Sequence, residues 1–342
     1  MKGTLAAFDT ISGRGAAALL RDGVLDDLLI DPPAARIRPG TIYRATANRP
    51  MKGQGGVMLT TSDGPVYLRQ TKGIVPGETY LVHTTTYAEA GKAAPVTTRL
   101  TLKSRYVLVT PDAPGLNISR AIRDEPRRVA LRDLATPLLD GFSPGLIIRS
   151  AAEDAEDADV ADEIRAMTEL ARQLLADTSG QPERLLDGPG AEDLAFRDWA
   201  RPDATDSGPG TFERHGIDDL IASVRAPEQA LPGGGSVVIE PTRALVAVDV
   251  NTGGDTSPAA GLKVNIAAVR ALPRLLRLRG LGGQIVLDLA PMPKRDRVRV
   301  EQQIKSAFRA DPIDTAFVGW TPLGHAELQR KRERLPLEEA LS

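Results

Sequence analysis

The chain has 342 residues, of which 42% are hydrophobic and 26% are charged, and its formal net charge is −2. This length suits two to four compact units. The sequence contains no cysteine, which excludes disulfides, iron–sulfur clusters and thiolate zinc sites. No apolar run reaches the roughly 18 residues that a membrane span needs, and the N-terminus lacks the pattern of a signal peptide. The sequence therefore predicts a cytoplasmic protein.

The small net charge conceals two basic segments. Nine Lys/Arg stand against three Asp/Glu between Gly40 and Arg105, and fifteen against seven between Lys263 and Arg334. Basic residues often do no more than solvate the surface of a helix. Two such segments in an otherwise acidic chain nevertheless favour the binding of a polyanion such as a nucleic acid.

The first half of the chain is predicted to be rich in strands. Residues 3–30 alternate apolar and polar side chains around glycine turns, which predicts an antiparallel meander. Five short strands are predicted within residues 41–102, and their number favours a small OB-type barrel. Strand count alone does not distinguish such a barrel from another small β-domain. The next expected elements are a strand at 106–110, a helix at 127–139, a strand at 145–150 and a helix at 152–176.

The second half of the chain becomes regular only after a loose stretch. Residues 177–207 show little periodicity and predict long loops. After the glycine run at 233–235, strands and helices alternate, which is typical of a sheet whose site lies at the strand ends. The expected elements are a short helix at 217–224, a hairpin of 236–240 and 244–250, a helix at 260–279, a strand at 284–288, a helix at 294–309, a strand at 315–319 and a basic helix at 325–334.

Two aspartates close two apolar strands that a helix connects. Asp249 ends the run ALVAVD, and Asp288 ends the run QIVLD. A strand–helix–strand unit places both strand ends at the same edge of a sheet, where two carboxylates repel unless a cation lies between them. With no cysteine and three widely separated histidines, this cation should be hard and oxygen-bound, either Mg²⁺ or Mn²⁺. Each aspartate taken alone is more commonly a helix N-cap.

Asn251 and nearby cations extend this candidate site. Side chains two residues apart in a strand point the same way, so Asn251 can orient a phosphate oxygen or a carboxylate beside the metal. A metal held by two carboxylates would polarise a phosphoryl oxygen and activate water for attack. The basic run at 294–299 could neutralise a nucleic-acid backbone. Arg277 and Arg279 lie at a helix end, where cations also offset the helix dipole.

Two stretches resemble the catalytic core of the ribonuclease E/G family: PGGGSVVIEPTRALVAVDVN at 232–251 and LRLRGLGGQIVLD at 276–288. The resemblance extends over nearly the whole chain. It implies a Mg²⁺-dependent endoribonuclease that cleaves single-stranded RNA, in rRNA or tRNA processing or in mRNA decay, with sensing of a 5′-monophosphate. By this resemblance Asp249 and Asp288 would bind the catalytic Mg²⁺, with Mn²⁺ as an alternative, and Asn251 would position the scissile phosphate.

The same resemblance implies an α+β or α/β multidomain fold. It predicts an S1-like OB barrel inserted in an RNase H-like subdomain, a 5′-sensor region and a DNase I-like catalytic domain. The implied boundaries are 1–38 for the first part of the RNase H-like subdomain, 39–104 for the barrel, 105–155 for the sensor, 156–230 for a helix and the shortened second part of the RNase H-like subdomain, and 231–342 for the catalytic domain.

Further binding residues follow from the resemblance. The segment GLIIRSAA at 145–152 is similar to the one that binds a 5′-monophosphate, so Arg149 and Ser150 would contact that group. This is chemically sensible, because arginine forks onto phosphate and a hydroxyl adds another bond. Single-stranded RNA is the expected partner, and the expected RNA contacts are Tyr67, Arg277, Arg279, Lys294 and Arg295.

The chain also departs from the family pattern. It lacks the cysteines of the motif that links subunits through zinc, so we expect no zinc-linked tetramer. A homodimer is retained as an alternative. We expect a short form without the C-terminal scaffold, and no membrane partner. Because the accessory regions are reduced, a non-catalytic RNA-binding protein that keeps the family fold is the alternative. A metal-dependent phosphoesterase acting on small substrates or DNA is a third hypothesis.

Overall fold

The computed structural model describes residues 2–50, 55–89, 91–255, 257 and 259–342. The chain divides into two compact units, unit 1 with Met1–Pro33 and Pro202–Ser342, and unit 2 with Ala34–Arg201. No helix in the described ranges has both the length and the apolar character that crossing a membrane requires.

The strands and helices are numbered in chain order. They are β1 Thr4–Ile11, β2 Arg14–Arg21, β3 Val24–Ile30, β4 Ile42–Ala47, β5 Val57–Thr61, β6 Gly64–Leu68, β7 Thr79–Thr84, β8 Ala94–Thr97, β9 Leu102–Lys103, β10 Val107–Thr110, β11 Leu116–Ile118, α1 Glu125–Leu138, β12 Gly145–Ile148, α2 Asp157–Ala176, β13 Glu183–Leu186, α3 Ala191–Asp198, β14 Ala204–Ser207, α4 Thr211–Arg214, α5 Ile217–Arg225, β15 Glu228–Ala230, β16 Ser236–Pro241, β17 Val246–Asn251, α6 Ala260–Leu278, β18 Gly283–Asp288, α7 Arg297–Arg309, β19 Thr315–Trp320, β20 Ala326–Arg330 and α8 Leu337–Leu341.

Five strands of unit 2 close into a barrel. Pairing runs from β4 through β5, β6, β8 and β7 and back to β4, and β13 adds to β4 outside this ring. The barrel core is lined by alternate residues of these strands, among them Tyr43, Leu59 and Val82. The chain is thus a mixed α/β protein of several sheets with an OB-like five-strand barrel, as the strand count predicted.

The rest of unit 2 contains helices and a four-stranded sheet in the order β11-β12-β10-β9. The apolar stripe of α2, including Val160, Ile164 and Ala171, lies in the same core as strand residues Val107 and Leu146, as a helix with apolar residues at this spacing should. The prediction of long loops over 177–207 is wrong, because β13, α3 and β14 lie there. Two of these elements are strands fixed by pairing with distant strands, which the local sequence does not reveal.

Two sheets lie in unit 1. The predicted meander is confirmed as β1-β2-β3, and β14 joins it in parallel beside β1. The second sheet has six strands in the order β15-β16-β17-β18-β20-β19. One face of this sheet is buried by α6 and α7, whose residues Ala268, Leu272 and Ile304 share a core with Val248 and Leu287 of the sheet.

The C-terminal part of this sheet corrects the sequence prediction. The basic helix predicted at 325–334 is wrong, because Ala326–Arg330 form β20, which lies between β18 and β19. Ala326, Leu328 and Arg330 are buried while the residues between them are not. This alternation has the period of a strand, and pairing with two neighbours satisfies its backbone groups.

A buried cluster of ions stabilises unit 1. Asp311, whose side chain is fully buried, bonds to Arg277 of α6 and, at 2.8 Å, to the equally buried Arg330 of β20. Arg277 also donates to the main-chain oxygen of Asp26 on β3, at 2.7 Å. Arg277 also lies 3.4 Å from carboxylate oxygens of both Asp26 and Asp27, so the cluster joins elements that are far apart in sequence.

Replacing Asp311 with Asn should destabilise the protein by about 3 to 5 kcal/mol, because it leaves the buried guanidinium of Arg330 without its carboxylate partner. Urea-induced unfolding measures this change. Asp314→Asn is the matched control: its side chain is 71% exposed and pairs with Lys331 on the surface, so the loss should not exceed about 1 kcal/mol. Equal losses in the two variants would contradict the structural role of Asp311.

Candidate metal centre

The two predicted aspartates lie side by side on one face of the six-stranded sheet. Strands β17 and β18 are parallel, and Asp249 is the register partner of Asp288. Adjacent strands lie about 4.8 Å apart, so the two carboxylates project from neighbouring positions. Val248 and Leu287 point into the core under α6 and α7, whereas both aspartates are exposed. The pair therefore occupies the open face of the sheet, near the carboxyl ends of both strands.

Asn251 holds one oxygen of this pair. Its Nδ2 donates to Oδ2 of Asp249 at 2.9 Å, as two side chains on the same face of a strand allow. The neighbouring backbone is closely packed, since a Cβ on Gly235 would lie 2.4 Å from the main-chain oxygen of Asn251. Gly235 also has a φ of +82°, so glycine is required there for conformation as well as for space.

His325 joins the site through the strand that the sequence did not predict. Because β20 runs antiparallel to β18 with Ala326 opposite Leu287, His325 lies beside Asp288. Its Nδ1 is 3.2 Å from Oδ1 of that aspartate. The helix predicted at 325–334 gave no reason to link the two residues. The strand-like alternation that begins at Ala326 is the signal that could have found this contact.

Asn265 fixes the loop that follows Asp288. It is fully buried on α6, its Nδ2 donates to the oxygen of Ala290 at 2.9 Å, and its Oδ1 accepts from the nitrogen of Ala290 at 2.9 Å. On the same helix a Cβ at Gly261 would lie 2.1 Å from the oxygen of Pro291. These contacts hold the loop against α6 and so define where β18 ends. A single Asn among buried apolar helix residues was the available sequence signal.

The donor set suits a hard divalent cation. Mg²⁺ is commonly bound by one or two carboxylates and keeps several waters, and two exposed carboxylates with an adjacent amide meet that requirement. Among the described residues, no group of three or more His, Cys, Asp or Glu side chains is arranged to hold a metal ion. The protein would therefore supply two carboxylate ligands. Without cysteine, a thiolate zinc site is excluded.

The four predicted basic contacts differ in exposure. Arg277 is 8% exposed and belongs to the buried ion cluster. Arg279 is half-buried and donates to the oxygen of Ile239 at 2.8 Å, and burial lowers its pKa. Both arginines thus have partners within the protein, and their contact with RNA stays a prediction. Lys294 and Arg295 are exposed just before α7, and neither forms an ion pair within the described part of the chain.

Arg149 directly follows β12 in unit 2. Its guanidinium donates to the main-chain oxygens of Ser104 and, at 3.0 Å, Arg105, and it pairs with Asp198 at 3.0 Å. Ser150 is exposed and begins a single turn of 3-10 helix. The two predicted 5′-phosphate ligands are therefore adjacent, with the arginine already oriented by its neighbours.

Asp198, the partner of Arg149, also pairs with two further cations. Lys103 contacts it at 2.8 Å and Arg197 at 2.7 Å. Burial raises the pKa of Asp198, but the hydrogen bonds and charges of Arg197 and Lys103 outweigh burial and lower this pKa to about 2. Three cations thus share one carboxylate, which leaves a local positive charge.

Tyr67 is the predicted aromatic of the barrel. It lies on β6 and is half-buried. Its ring covers the backbone of Gly56, where an added Cβ would lie 2.3 Å from a ring carbon. One part of the phenol is thus packed on the barrel, and the remaining exposed part is what a stacking base could reach.

Comparison with known proteins establishes what kind of protein carries these sites. The model of the Ribonuclease E/G family matches residues 101–208 and 204–333, which is more than half of the chain. The chain therefore belongs to the ribonuclease E/G family, and the family predicted from the sequence is confirmed.

Three relatives show how far the similarity extends. The chain is 28% identical to ribonuclease E of Nostoc sp. over 91% of this chain and 50% of the relative. It is 29% identical to ribonuclease G of Haemophilus influenzae over 73% of this chain and 58% of the relative. It is 26% identical to ribonuclease G of Escherichia coli (strain K12) over 95% of this chain and 79% of the relative. The chain thus spans about half the length of the Nostoc and Haemophilus proteins.

Replacing Asn265 with Ala should destabilise the protein by about 2 kcal/mol, since it leaves the buried amide and carbonyl of Ala290 without partners. Urea-induced unfolding measures the loss. Lys263→Ala on the same helix is the control, because that side chain is 68% exposed and its removal should change stability by no more than about 0.5 kcal/mol. An Asn265→Ala protein as stable as this control would show that the clamp on the loop contributes nothing.

Proposed function

We propose that the chain is a metal-dependent endoribonuclease that cleaves single-stranded RNA and leaves a 5′-phosphate on the downstream product. The observation that carries this proposal is the in-register pair Asp249 and Asp288 on an open sheet face, in a chain of the ribonuclease E/G family. These two residues would hold Mg²⁺, with Mn²⁺ as an alternative. When bound, such a cation polarises a phosphoryl oxygen and lowers the pKa of a bound water.

The neighbouring side chains would bind and orient the RNA. Asn251 fixes Asp249 through its Nδ2 and would orient the scissile phosphate. Lys294 and Arg295 are exposed on the segment that follows β18, where they would neutralise backbone phosphates. Tyr67 in the barrel would stack on a base, a contact that is tolerant of sequence. Precursors of rRNA or tRNA, or mRNA, would be the substrates.

We assign the domains on the same basis. The barrel at 39–104 would be S1-like and the segment at 231–342 DNase I-like, and residues 105–155 would form the 5′-sensor region. Residues 1–38 would form an RNase H-like subdomain with β14, α4 and α5 from the segment 156–230, because β14 pairs with β1 and both helices share the core of that sheet. The helix α2 lies in the core of the sensor sheet, so we group it with the sensor.

Asp249→Asn and Asp288→Asn should each reduce cleavage by about 100-fold or more, because a bound metal supplies several kcal/mol of transition-state stabilisation. Cleavage of a 5′-monophosphorylated single-stranded oligonucleotide, with Mg²⁺ and with EDTA, is the measurement. Wild-type protein should cut only with Mg²⁺, and RNA affinity measured in EDTA should stay within about twofold in both variants, since Asn keeps the shape of the side chain.

Asp314→Asn, an exposed acid remote from the pair in sequence, is the control and should cleave like wild type. Full activity of both aspartate variants would contradict the metal site. RNA binding by the wild-type protein without any metal-dependent cleavage would instead favour the alternative, a non-catalytic RNA-binding protein. Cleavage of DNA at the same rate as RNA would favour the phosphoesterase hypothesis.

We also propose that Arg149 and Ser150 bind a 5′-monophosphate. The three cations around Asp198 leave a positive charge next to this pair, and an incoming phosphate would take the place of the carboxylate. Ser150 is exposed and offers its hydroxyl as a further donor.

Monophosphorylated RNA should therefore be cut faster than the same RNA with a 5′-triphosphate or a 5′-hydroxyl. Ser150→Ala should lower the advantage of the monophosphate by about tenfold, the effect of losing one hydrogen bond to a charged group. Ser179→Ala, at an exposed serine of the same unit, should keep the full advantage. Equal initial rates on all three RNAs would show that the pocket does not sense the 5′ end.

A further inference from the structure

Two cations of unit 2 converge on a single carboxylate oxygen. Nη2 of Arg149 donates to Oδ1 of Asp198 at 3.0 Å, and Nζ of Lys103 lies 2.8 Å from the same oxygen. The other oxygen is bound separately, since Oδ2 of Asp198 accepts from Nε and Nη2 of Arg197, at 3.1 and 2.7 Å. Oδ1 therefore marks a point that two cationic side chains reach at once.

Both cations reach this point from an ordered backbone. Lys103 is the exposed residue of the short strand β9. Nη1 of Arg149 donates to the main-chain oxygens of the next two residues, Ser104 and, at 3.0 Å, Arg105. These bonds do not involve Asp198, so Arg149 stays oriented when the carboxylate gives up its place.

The charges at this point suit a doubly charged anion better than a carboxylate. Lys103 and Arg149 bring two positive charges to Oδ1, whereas Asp198 has one negative charge and shares it with Arg197 as well. A phosphate monoester carries a charge of about −1.5 to −2 at pH 7 and offers three acceptor oxygens. The side chain of Lys103 is 40% exposed, so such a group can reach its ammonium from solvent.

The contact of Lys103 can be interpreted as a surface ion pair or as part of an anion site. In the described part of the chain, Asp198 is the one acid with which Lys103 forms an ion pair, and a pair this exposed contributes little to stability. Asp198 also retains an ionic partner when Oδ1 is displaced, because Arg197 binds the other oxygen. The arrangement therefore favours exchange of the carboxylate for a stronger anion.

We propose that Lys103 is a further ligand of the 5′-monophosphate, beside Arg149 and Ser150, and that a phosphate oxygen binds at the position of Oδ1 of Asp198. A 5′-hydroxyl carries no charge with which to displace the carboxylate. Asp198 would thus keep the site closed to RNA ends that lack a phosphate. This inference rests on the proposed function, because it assumes that Arg149 and Ser150 bind the 5′ end.

Binding measured without metal tests the role of Lys103 independently of cleavage. Fluorescence anisotropy of the full chain in EDTA gives the affinities for one 3′-labelled single-stranded oligonucleotide with a 5′-monophosphate and with a 5′-hydroxyl. Lys103→Gln should lower the ratio of the two affinities by about tenfold, the effect of losing a hydrogen bond to a charged group. Its affinity for the 5′-hydroxyl oligonucleotide should stay within about twofold of wild type.

Two further substitutions of lysine control for charge. Lys103→Arg keeps a cation that binds phosphate, so the ratio should stay within about threefold of wild type. Lys92→Gln removes the same charge from another lysine of this unit, which is 68% exposed and pairs with Glu89. Its ratio should equal that of wild type.

Asp198→Asn tests the displacement of the carboxylate. The variant removes the competing charge, while the backbone still holds Arg149. Affinity for the monophosphorylated oligonucleotide should therefore rise by about threefold, which corresponds to the loss of one exposed ion pair. A fall in this affinity would show that Asp198 orients Arg149 and is not displaced.

Other patterns overturn the assignment of Lys103. An unchanged ratio in Lys103→Gln, or an equal loss in Lys103→Arg or Lys92→Gln, would show that Lys103 does not bind the phosphate. Ser150→Ala, measured in parallel, separates this failure from that of the proposed function. If Ser150→Ala lowers the ratio and Lys103→Gln does not, only the role of Lys103 is wrong. If wild-type protein binds both oligonucleotides equally, the 5′-phosphate site itself is misassigned.

Discussion

The parallel register of β17 and β18 is the constraint on which the site depends. It holds two carboxylates at neighbouring positions, where their repulsion is on the order of 1 to 4 kcal/mol. The opposite face of the same strands buries Val248 and Leu287 under α6 and α7, and each such side chain contributes about 1.5 to 3 kcal/mol. Burial on one face therefore outweighs repulsion on the other, and a cation that binds the pair removes the repulsion.

The surrounding structure limits how this pair can move. Asn251 donates to one carboxylate oxygen of Asp249, and Nδ1 of His325 lies 3.2 Å from one of Asp288. Asn265 binds both backbone groups of Ala290 directly after β18. Beneath the sheet, Asp311 compensates the buried charge of Arg330 on β20, the strand that His325 precedes. The contacts that hold the strands together thus also determine the positions of the polar groups on the open face.

Much of this arrangement could be predicted from the sequence because its signals are local. Runs such as LVAV before Asp249 and IVL before Asp288 are typical of buried strands, and the periodicity of 260–279 predicts the helix between them. The right-handed crossover expected for such a strand–helix–strand unit places the two aspartates at the same edge of the sheet. No other part of the sequence is needed for this prediction. The glycine turns and the barrel strands were predicted for the same reason.

The features that could not be predicted depend on partners distant in sequence. Ala326–Arg330 consist of residues that favour helices, and only pairing with β18 and β19 makes them a strand, so the contact of His325 with Asp288 stayed hidden. Arg277 has the sequence context of a surface cation at a helix end, yet it is buried against Asp26, Asp27 and Asp311. In both cases partners distant in sequence decided the outcome.

The position of the bound ion is the most direct test of the account. Crystals of the protein soaked in Mn²⁺ and measured at a wavelength sensitive to manganese would locate it by anomalous scattering. The account predicts one strong peak between the carboxylates of Asp249 and Asp288 on the open face of the sheet. A well-occupied peak elsewhere, with the two carboxylates left free of metal, would contradict it.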